Sequence, residues 1–193
     1  MSVIKPLIDP SYVQLSDENG IPIAGHLTIS EANKKGLWHL GIHVVVINKK
    51  TRTLLVQKRS PRMFTHPSKL ELSLGGALKY GETFEEAALR EAREETGINA
   101  NGESLRYLSQ FRDSQIFPKL KIQSKVFGRS YLLFLDDEPR LKPQDEETKE
   151  TFFIPYHEAR KLITTGSHGA YGRLVPDRSY YQQLLHDIEP YLK

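Results

Sequence analysis

Apolar residues cluster and alternate along the chain in patterns that predict a sheet with a few helices. The run at 41–47, GIHVVVI, is rich in β-branched residues and too short for a core helix, so it predicts a buried strand. The segment at 53–59, TLLVQKR, predicts a second strand whose alternation places Leu55, Gln57 and Arg59 on one face. Further strands are predicted at 70–74, 104–112, 120–135 and 151–154.

Start and stop signals define the longest predicted helix. Thr83 is followed three residues later by Glu86, which is the spacing of a capping box, and Gly97 provides a C-terminal cap. We therefore predict a helix from about Phe84 to Thr96. Other predicted helices are a short one that begins at Ser30 and ends at Gly36, one at 156–164 that ends at Gly166, and one at 177–188, with a loop at 167–175.

The amino-terminal region predicts a β-hairpin. Segments 12–15 and 21–25 flank an Asn-Gly step at 19–20, which is a strong turn signal, and Pro22 favours an edge position for the second strand. Neither a repeat nor a low-complexity linker divides the sequence. We therefore predict an α+β fold in one domain, 1–193, with residues 1–36 as a hairpin and helix extension of a core at 37–193.

The predicted helix at 84–96 carries an unusual group of charges. Glu91, Glu94 and Glu95 are related by i, i+3 and i+4, so their carboxylates lie on one helix face. Like charges at this spacing destabilise a helix by a few tenths of a kcal/mol per pair. Such a cluster is often only a solvated surface, but it also suits a hard divalent cation, which prefers oxygen ligands. Arg90 stands four residues before Glu94, where the two side chains can pair.

The helix belongs to a longer motif, GALKYGETFEEAALREAREETGI, at 76–98. Its fixed positions are Gly76, Glu82, Arg90, Glu91, Glu94, Glu95 and Gly97. At average residue usage, these seven letters arise by chance roughly once in a million chains of this length. The motif closely resembles the signature of the Nudix family. Ala92 departs from that signature, which usually has a bulky aliphatic residue there.

This resemblance implies a fold, a reaction and a set of residue roles. Nudix proteins form an α/β/α sandwich with a mixed sheet, bind Mg²⁺ or Mn²⁺ through the motif, and hydrolyse a diphosphate bond. By resemblance, the metal ligands are Glu91, Glu94, Glu95 and the Gly76 carbonyl, Glu91 or Glu94 also takes the proton from water, and Glu82 and Arg90 support the ligands. We expect a small, nucleotide-derived diphosphate as the substrate.

Residues outside the motif supply candidates for substrate binding. Arg59 ends a predicted strand, and its guanidinium suits bidentate contact with a phosphate, although an ordinary surface charge is an equally good interpretation. Lys58 and Arg62 are weaker candidates for the same role.

Two further pairs of residues are candidates for the site. By resemblance, a loop acid such as Glu146 or Glu147 is a further candidate base, although acidic loops are usually solvated surface. His39 and His43 are better interpreted as packed, hydrogen-bonded histidines than as metal ligands.

Composition narrows the alternatives. The chain has no cysteine, which excludes disulfides, thiolate catalysis and cysteine-based zinc sites. A formal charge of +3 favours anionic ligands only weakly, and we find no DNA-binding motif. No apolar run reaches 18 residues and no secretory signal pattern opens the chain, so we expect a cytoplasmic protein without a membrane segment; a homodimer stays open.

Two rival functions follow from the same residues. The segments 38–41 and 55–60 resemble a Nudix branch related to isopentenyl diphosphate isomerase, which suggests double-bond isomerisation. That isomerase is understood to use a cysteine, which this chain lacks, and its motif is degenerate where this one is complete. A Nudix-fold sensor that binds a nucleotide or similar effector without hydrolysing it is the second rival.

Overall fold

The computed structural model describes residues 9–63, 65–143, 146–176 and 178–192. The helices are α1 (Ile29–Lys35), α2 (Phe84–Thr96), α3 (Tyr156–Thr165) and α4 (Arg178–Ile188). The strands are β1 (Asp9–Val13), β2 (Trp38–Asn48), β3 (Thr53–Arg59), β4 (Leu70–Glu71), β5 (Leu74–Ala77), β6 (Lys79–Tyr80), β7 (Leu105–Phe117), β8 (Ile122–Leu135), β9 (Thr148–Pro155), β10 (Ser167–His168) and β11 (Gly172–Arg173).

Seven of these strands form the main sheet, and the fold is α+β as predicted. Strands β4, β3, β2, β8 and β7 are neighbours in that order, β5 pairs with β2, and β9 pairs with β3. Two small antiparallel pairs, β1 with β6 and β10 with β11, lie outside this sheet. Of the helices in the described ranges, none combines the length and apolar character that crossing a bilayer requires.

The described chain divides into two compact units. The first unit contains the chain up to His43, Gly75–Ala88 and Ser109–Ser130. The second contains Val44–Leu74, Leu89–Leu108 and the chain from Tyr131 onward. The predicted division into an extension at 1–36 and a core at 37–193 stays a prediction.

In the first unit, a stacked pair of rings packs against glycine backbone. The His43 and Phe111 rings are parallel, with centroids 4.1 Å apart. A Cβ atom added to Gly75 would lie 2.8 Å from Cδ2 of His43, and one added to Gly128 would overlap the Phe111 ring. Because real Cβ contacts are not that short, glycine is the residue that fits at both positions.

The second unit holds the larger apolar core. Strands β2 and β3 contribute Val45, Ile47, Leu54 and Val56, all essentially without solvent exposure. Helices α3 and α4 cover them with apolar faces, including Leu162. This packing agrees with the sequence prediction of buried strands at 41–47 and 53–59.

Several predicted elements differ from the observed ones in the amino-terminal region. The turn at 17–20 is present, since the Asp17 carboxylate accepts hydrogen bonds from the Asn19 and Ile21 amides. Segment 21–25 is not a regular strand, because it makes a single bridge between Pro22 and Ser16. Helix α1 is capped by Thr28 rather than Ser30, and Thr28 forms a capping box with Glu31.

Later elements differ mainly in length. The strand predicted at 70–74 is two short strands, β4 and β5. The loop predicted at 167–175 contains the small hairpin of β10 and β11. Strand β7 extends to Phe117, well beyond the predicted end at 112. Helix α4 begins at Arg178; Asp177, its predicted first residue, lies outside the described residues.

Candidate active site

Helix α2 has the bounds that the sequence predicted, and its caps explain why. The Thr83 hydroxyl accepts a hydrogen bond from the Glu86 amide at 3.2 Å, and the Glu86 carboxylate accepts one from the Thr83 amide at 2.9 Å. Gly97 follows the helix in the left-handed region, at φ 78°, where a glycine has no steric penalty. Ala88 and Ala92 are fully buried, so the helix packs through small side chains at these positions.

The three predicted metal-binding carboxylates lie on the second-unit part of this helix. Glu91 and Glu95 are 8% and 4% exposed, whereas Glu94 is half-buried. Nη1 of Arg90 contacts Oε1 of Glu91 at 2.5 Å and Oε2 of Glu94 at 3.0 Å. The pair of Arg90 and Glu94 is the one that i, i+4 spacing predicted, and the contact of Arg90 with Glu91 is additional.

Burial controls the charge state of Glu91. Desolvation raises the pKa of Glu91 to about 7, and the Arg90 guanidinium opposes that rise. The carboxylates of Glu94 and Glu147 raise the pKa of Glu91 further, so Glu147 lies within electrostatic range of the cluster. A cation at this place would favour the charged form of Glu91.

No group of three or more histidine, aspartate or glutamate side chains has an arrangement ready to hold a metal ion within the described ranges. The Arg90 contacts give a physical reason, because its guanidinium occupies oxygen atoms of two carboxylates that the motif assigns to the metal. The donor set itself, carboxylate oxygens on one helix face, is the chemistry that Mg²⁺ and Mn²⁺ prefer. The residues therefore fit a hard divalent cation once Arg90 gives up part of its contact.

Gly76 and Glu82, the remaining motif residues, belong to the first unit. Gly76 lies in β5, and its carbonyl oxygen is 3.3 Å from the position that a Cβ atom on Gly41 would take. The Glu82 carboxylate accepts a hydrogen bond from the Lys79 amide at 3.0 Å, and the Glu82 amide donates to the Lys79 carbonyl at 2.9 Å. Glu82 therefore shapes the turn that precedes α2.

Arg59, the predicted phosphate-binding residue, has partners within the second unit. Its Nη1 contacts both oxygens of Glu71, at 3.0 and 3.1 Å, and its Nε and Nη2 donate to Thr65. Its side chain is only 15% exposed, so Arg59 is not an ordinary surface charge. All three nitrogens of the guanidinium therefore have protein partners.

The weaker candidates for phosphate binding and for the catalytic base differ in their partners and in their exposure. Lys58 pairs with Glu150 at 3.2 Å, and Arg62 pairs with Glu146 at 3.2 Å in a highly exposed contact. Glu147 is the loop acid that interacts with Glu91, whereas Glu146 faces solvent.

The two histidines are packed against protein atoms of the first unit. His39 is 3% exposed, and the His43 ring stacks on Phe111. Desolvation lowers the pKa of each histidine to about 4, so both imidazoles are neutral near pH 7.

Three residues that are linked to Arg59 by hydrogen bonds were not among the site residues predicted from the sequence. Glu71, Gln57 and Thr148 form a chain of hydrogen bonds that begins at Arg59 and ends one residue after Glu147. The sequence did contain one indication of Gln57, because alternation along β3 places it on the same face as Arg59. The partners on β4 and β9 depend on strand register, which the sequence did not reveal.

Comparisons with known proteins identify the family of the chain. The model of the NUDIX domain matches residues 37–174, which is most of the chain. An uncharacterized Nudix hydrolase of Listeria monocytogenes is 44% identical over 131 residues, covering 68% of this chain and 72% of the relative. An uncharacterized Nudix hydrolase of Clostridium acetobutylicum is 32% identical over 100 residues, and the match spans 51% of this chain and about half, 48%, of the relative. The chain belongs to the Nudix family.

Solved structures support the fold. A crystal structure from Deinococcus radiodurans superposes with a TM-score of 0.63 at 23% identity, covering 89% of this chain and 97% of that one. A bifunctional NMN adenylyltransferase/ADP-ribose pyrophosphatase from Francisella tularensis, complexed with AMP and a manganese ion, gives 0.56 at 18% identity, covering 80% of this chain and 42% of that one. The predicted α/β/α sandwich with a mixed sheet is confirmed.

Proposed function

We propose that this protein is a metal-dependent hydrolase that cleaves the diphosphate bond of a nucleoside diphosphate linked to another moiety, or of a similar small diphosphate. The observation that carries the proposal is the carboxylate cluster of Glu91, Glu94 and Glu95 on one helix, two of them buried. A helix that served only as structure would gain nothing from burying two acids beside a third. The complete Nudix motif around the cluster supports the same conclusion.

Mg²⁺ or Mn²⁺ is the cofactor that these ligands suit. We assign Glu91, Glu94 and Glu95 as its protein ligands, with the Gly76 carbonyl as a fourth ligand predicted from the motif alone. When bound, the ion supplies charge neutralisation at the diphosphate and lowers the pKa of coordinated water. The manganese ion bound by the Francisella tularensis protein supports this assignment.

Hydrolysis requires a proton acceptor. The oxygen of water forms a bond to phosphorus, the bridging P–O bond breaks, its electron pair stays on the leaving phosphate, and the proton of water passes to a carboxylate. Glu91 and Glu94 are the acceptors within the motif. Glu147 is a third candidate, since it lies within electrostatic range of Glu91 while Glu146 pairs with Arg62 in solvent.

Arg59 is the residue to which we assign a phosphate of the substrate. Glu71 and Thr65 hold the guanidinium in one orientation, so little side-chain entropy is lost when it binds an anion. These partners occupy the guanidinium on both sides, so Arg59 offers a fixed positive charge to the phosphate rather than the free bidentate contact expected from sequence.

Glu94→Gln tests the proposal. The amide keeps the size of the side chain but loses its charge, so we expect kcat to fall by roughly 10²–10⁴ with an unchanged melting temperature. Turnover is measured as phosphate release, with and without Mg²⁺, over nucleotide sugars, dinucleoside polyphosphates, coenzyme diphosphates and prenyl diphosphates. Glu85→Gln, an exposed change on the same helix, is the matched control.

The outcomes separate the candidate functions. Unchanged turnover of Glu94→Gln in the presence of Mg²⁺ would contradict the assignment. A wild-type protein that releases no phosphate from any compound, yet gains several degrees in melting temperature with one of them, would indicate the nucleotide-binding sensor instead.

A further inference from the structure

A buried amide links the predicted phosphate-binding residue to the loop acid. Gln57 is 2% exposed, and it uses both ends of its side chain. Its Nε2 donates to Oε2 of Glu71 at 3.0 Å and to the Ser73 carbonyl at 3.2 Å, while its Oε1 accepts from the Thr148 hydroxyl at 2.9 Å. A buried amide with three satisfied bonds is a costly feature, and it fixes the groups that it contacts.

An irregularity in β9 brings Thr148 to this amide. Lys58 pairs with Glu150, and Arg59 pairs with Thr148, so Lys149 is an extra residue in β9 at this point. Opposed residues of an antiparallel pair share a face, and without the extra residue position 149 would oppose Arg59. The bulge therefore places the Thr148 side chain on the face that Gln57 and Arg59 share.

The same bulge fixes the backbone of Glu147. The Ser60 amide donates to the Glu147 carbonyl at 2.7 Å, immediately beyond the Arg59 to Thr148 pair. The Glu147 carbonyl is bonded to Ser60, the residue after β3, and the next side chain is bonded to β3 itself, so the Glu147 backbone has little freedom. The Glu147 carboxylate then interacts with Glu91 from this fixed backbone.

The other end of the amide fixes the arginine. Oε2 of Glu71 accepts both from Gln57 at 3.0 Å and from Nη1 of Arg59 at 3.0 Å. Glutamine is suited to the central position because it donates at one end and accepts at the other. A glutamate there would set a second carboxylate beside Glu71, and a leucine would bond to neither partner.

We propose that Gln57 is a positioning residue that sets the Glu147 carboxylate through Thr148, and Arg59 through Glu71, at the diphosphate site. The inference rests on the proposed function and takes Glu147, its third candidate, as the acceptor of the proton from water. Gln57 touches neither substrate nor metal, so it acts only through these two neighbours. Once Glu147 has lost its function, Gln57 still acts through Glu71 on Arg59, whereas the Thr148 hydroxyl has no further effect on catalysis.

A double-mutant cycle tests the link to Glu147. We expect Thr148→Val, which cannot bond to Gln57, to lower kcat by about 10-fold and Gln57→Leu by about 10- to 100-fold, on the scale of losing the positioning of one acid–base group. Thr148→Ser keeps the hydroxyl and should restore activity to within about 2-fold. In Glu147→Gln, adding Thr148→Val should change kcat by less than about 2-fold, because Thr148 acts only through Glu147.

Thr151→Val is the matched control for Thr148→Val. Thr151 lies on the same strand, and its buried hydroxyl has no hydrogen-bond partner within the described residues, so its removal should leave kcat unchanged. ADP-ribose with Mg²⁺ is the first probe, followed by the compound of the screen above that is turned over fastest. Unfolding by urea, measured for every variant, confirms that each is folded during the assay.

The failures of the two proposals are distinguishable. A wild-type protein inactive on every probe overturns the proposed function. Active wild-type protein, with losses in Thr148→Val and Glu147→Gln that multiply in the double variant, overturns the positioning role and leaves the hydrolase intact. Equal losses in Thr148→Val and Thr151→Val also overturn it.

Discussion

At the scale of single residues, the sequence predicted contacts within a helix but not contacts between strands. Arg90 pairs with Glu94 because residues at i and i+4 are neighbours on one helix face, whereas the Arg90–Glu91 contact was not predicted. Arg59 was expected to be available for a bidentate phosphate contact, but it binds Glu71, a residue on another strand. That pairing depends on how β3 and β4 align, and local sequence does not encode the register.

Buried His39 predicts a specific dependence of stability on pH. The pKa of His39 is about 4 in the folded chain, against about 6.5 when unfolded, so between these values the unfolded state binds the extra proton. The free energy of unfolding therefore falls as pH decreases through this window, by about 1.4 kcal/mol per pH unit. Glu91 acts with the opposite sign, because its raised pKa makes the folded state the better proton acceptor between about 4.5 and 7.

Comparison with His39→Gln isolates this contribution. The free energy of unfolding, from urea titrations at pH 7 and pH 5, should fall by about 2 kcal/mol more in the wild-type protein than in the variant, which cannot titrate at this position. The Glu91 contribution is common to both proteins and cancels. Equal pH dependence in the two proteins would show that His39 is not held neutral.

At the scale of elements, predictability followed the locality of the signals. Helix α2 was predicted to the residue because its capping box and its terminal glycine both lie within the helix or next to it. The two-residue strands β4, β10 and β11 carry too few residues to show alternation, so they were merged or missed. The partner of β1 is β6, nearly 70 residues away, and no local pattern indicates it.

Strand β8 passes close to the stacked rings, and this predicts an effect of adding one methyl group. Gly128→Ala would force its Cβ into the Phe111 ring, which is parallel to His43, so we expect a loss of about 1–3 kcal/mol in the free energy of unfolding. Gly102→Ala has no atom within 4 Å of the added carbon and should change stability by less than about 0.5 kcal/mol. Urea unfolding of both variants measures the difference, and equal effects would contradict this account of the ring pair.

At the scale of the whole molecule, sequence predicted the α+β class, the sandwich and the family, all of which are confirmed. The two compact units had no counterpart in the sequence analysis, because each is assembled from segments distant along the chain. Changes of composition and linkers in a sequence indicate domains that are continuous along the chain, not units assembled from separate segments. The formal charge of +3 likewise gave no indication that acidic side chains, Glu91 and Glu95, are buried on α2.

Divalent metal should stabilise the whole molecule if the cluster on α2 is its site. Binding to the folded state alone adds about 2.7 kcal/mol at a concentration 100 times Kd, which for a chain of this length raises the melting temperature by several degrees. Differential scanning fluorimetry with MnCl₂, against KCl at matched ionic strength, measures the rise. Glu94→Gln should lose most of it and Glu85→Gln none, whereas an equal rise in all three proteins would place the ion elsewhere.

The extra residue in β9 has a consequence for reading related sequences. Because side chains alternate along a strand, the extra residue Lys149 moves the side chains that precede it in β9 to the opposite face of the sheet. A relative that lacks one residue here would present its counterpart of Lys149, not of Thr148, to the glutamine of β3. Alignment of such chains by letter alone would match residues that face opposite sides of the sheet, so a single gap at this point carries more structural information than several substitutions around it.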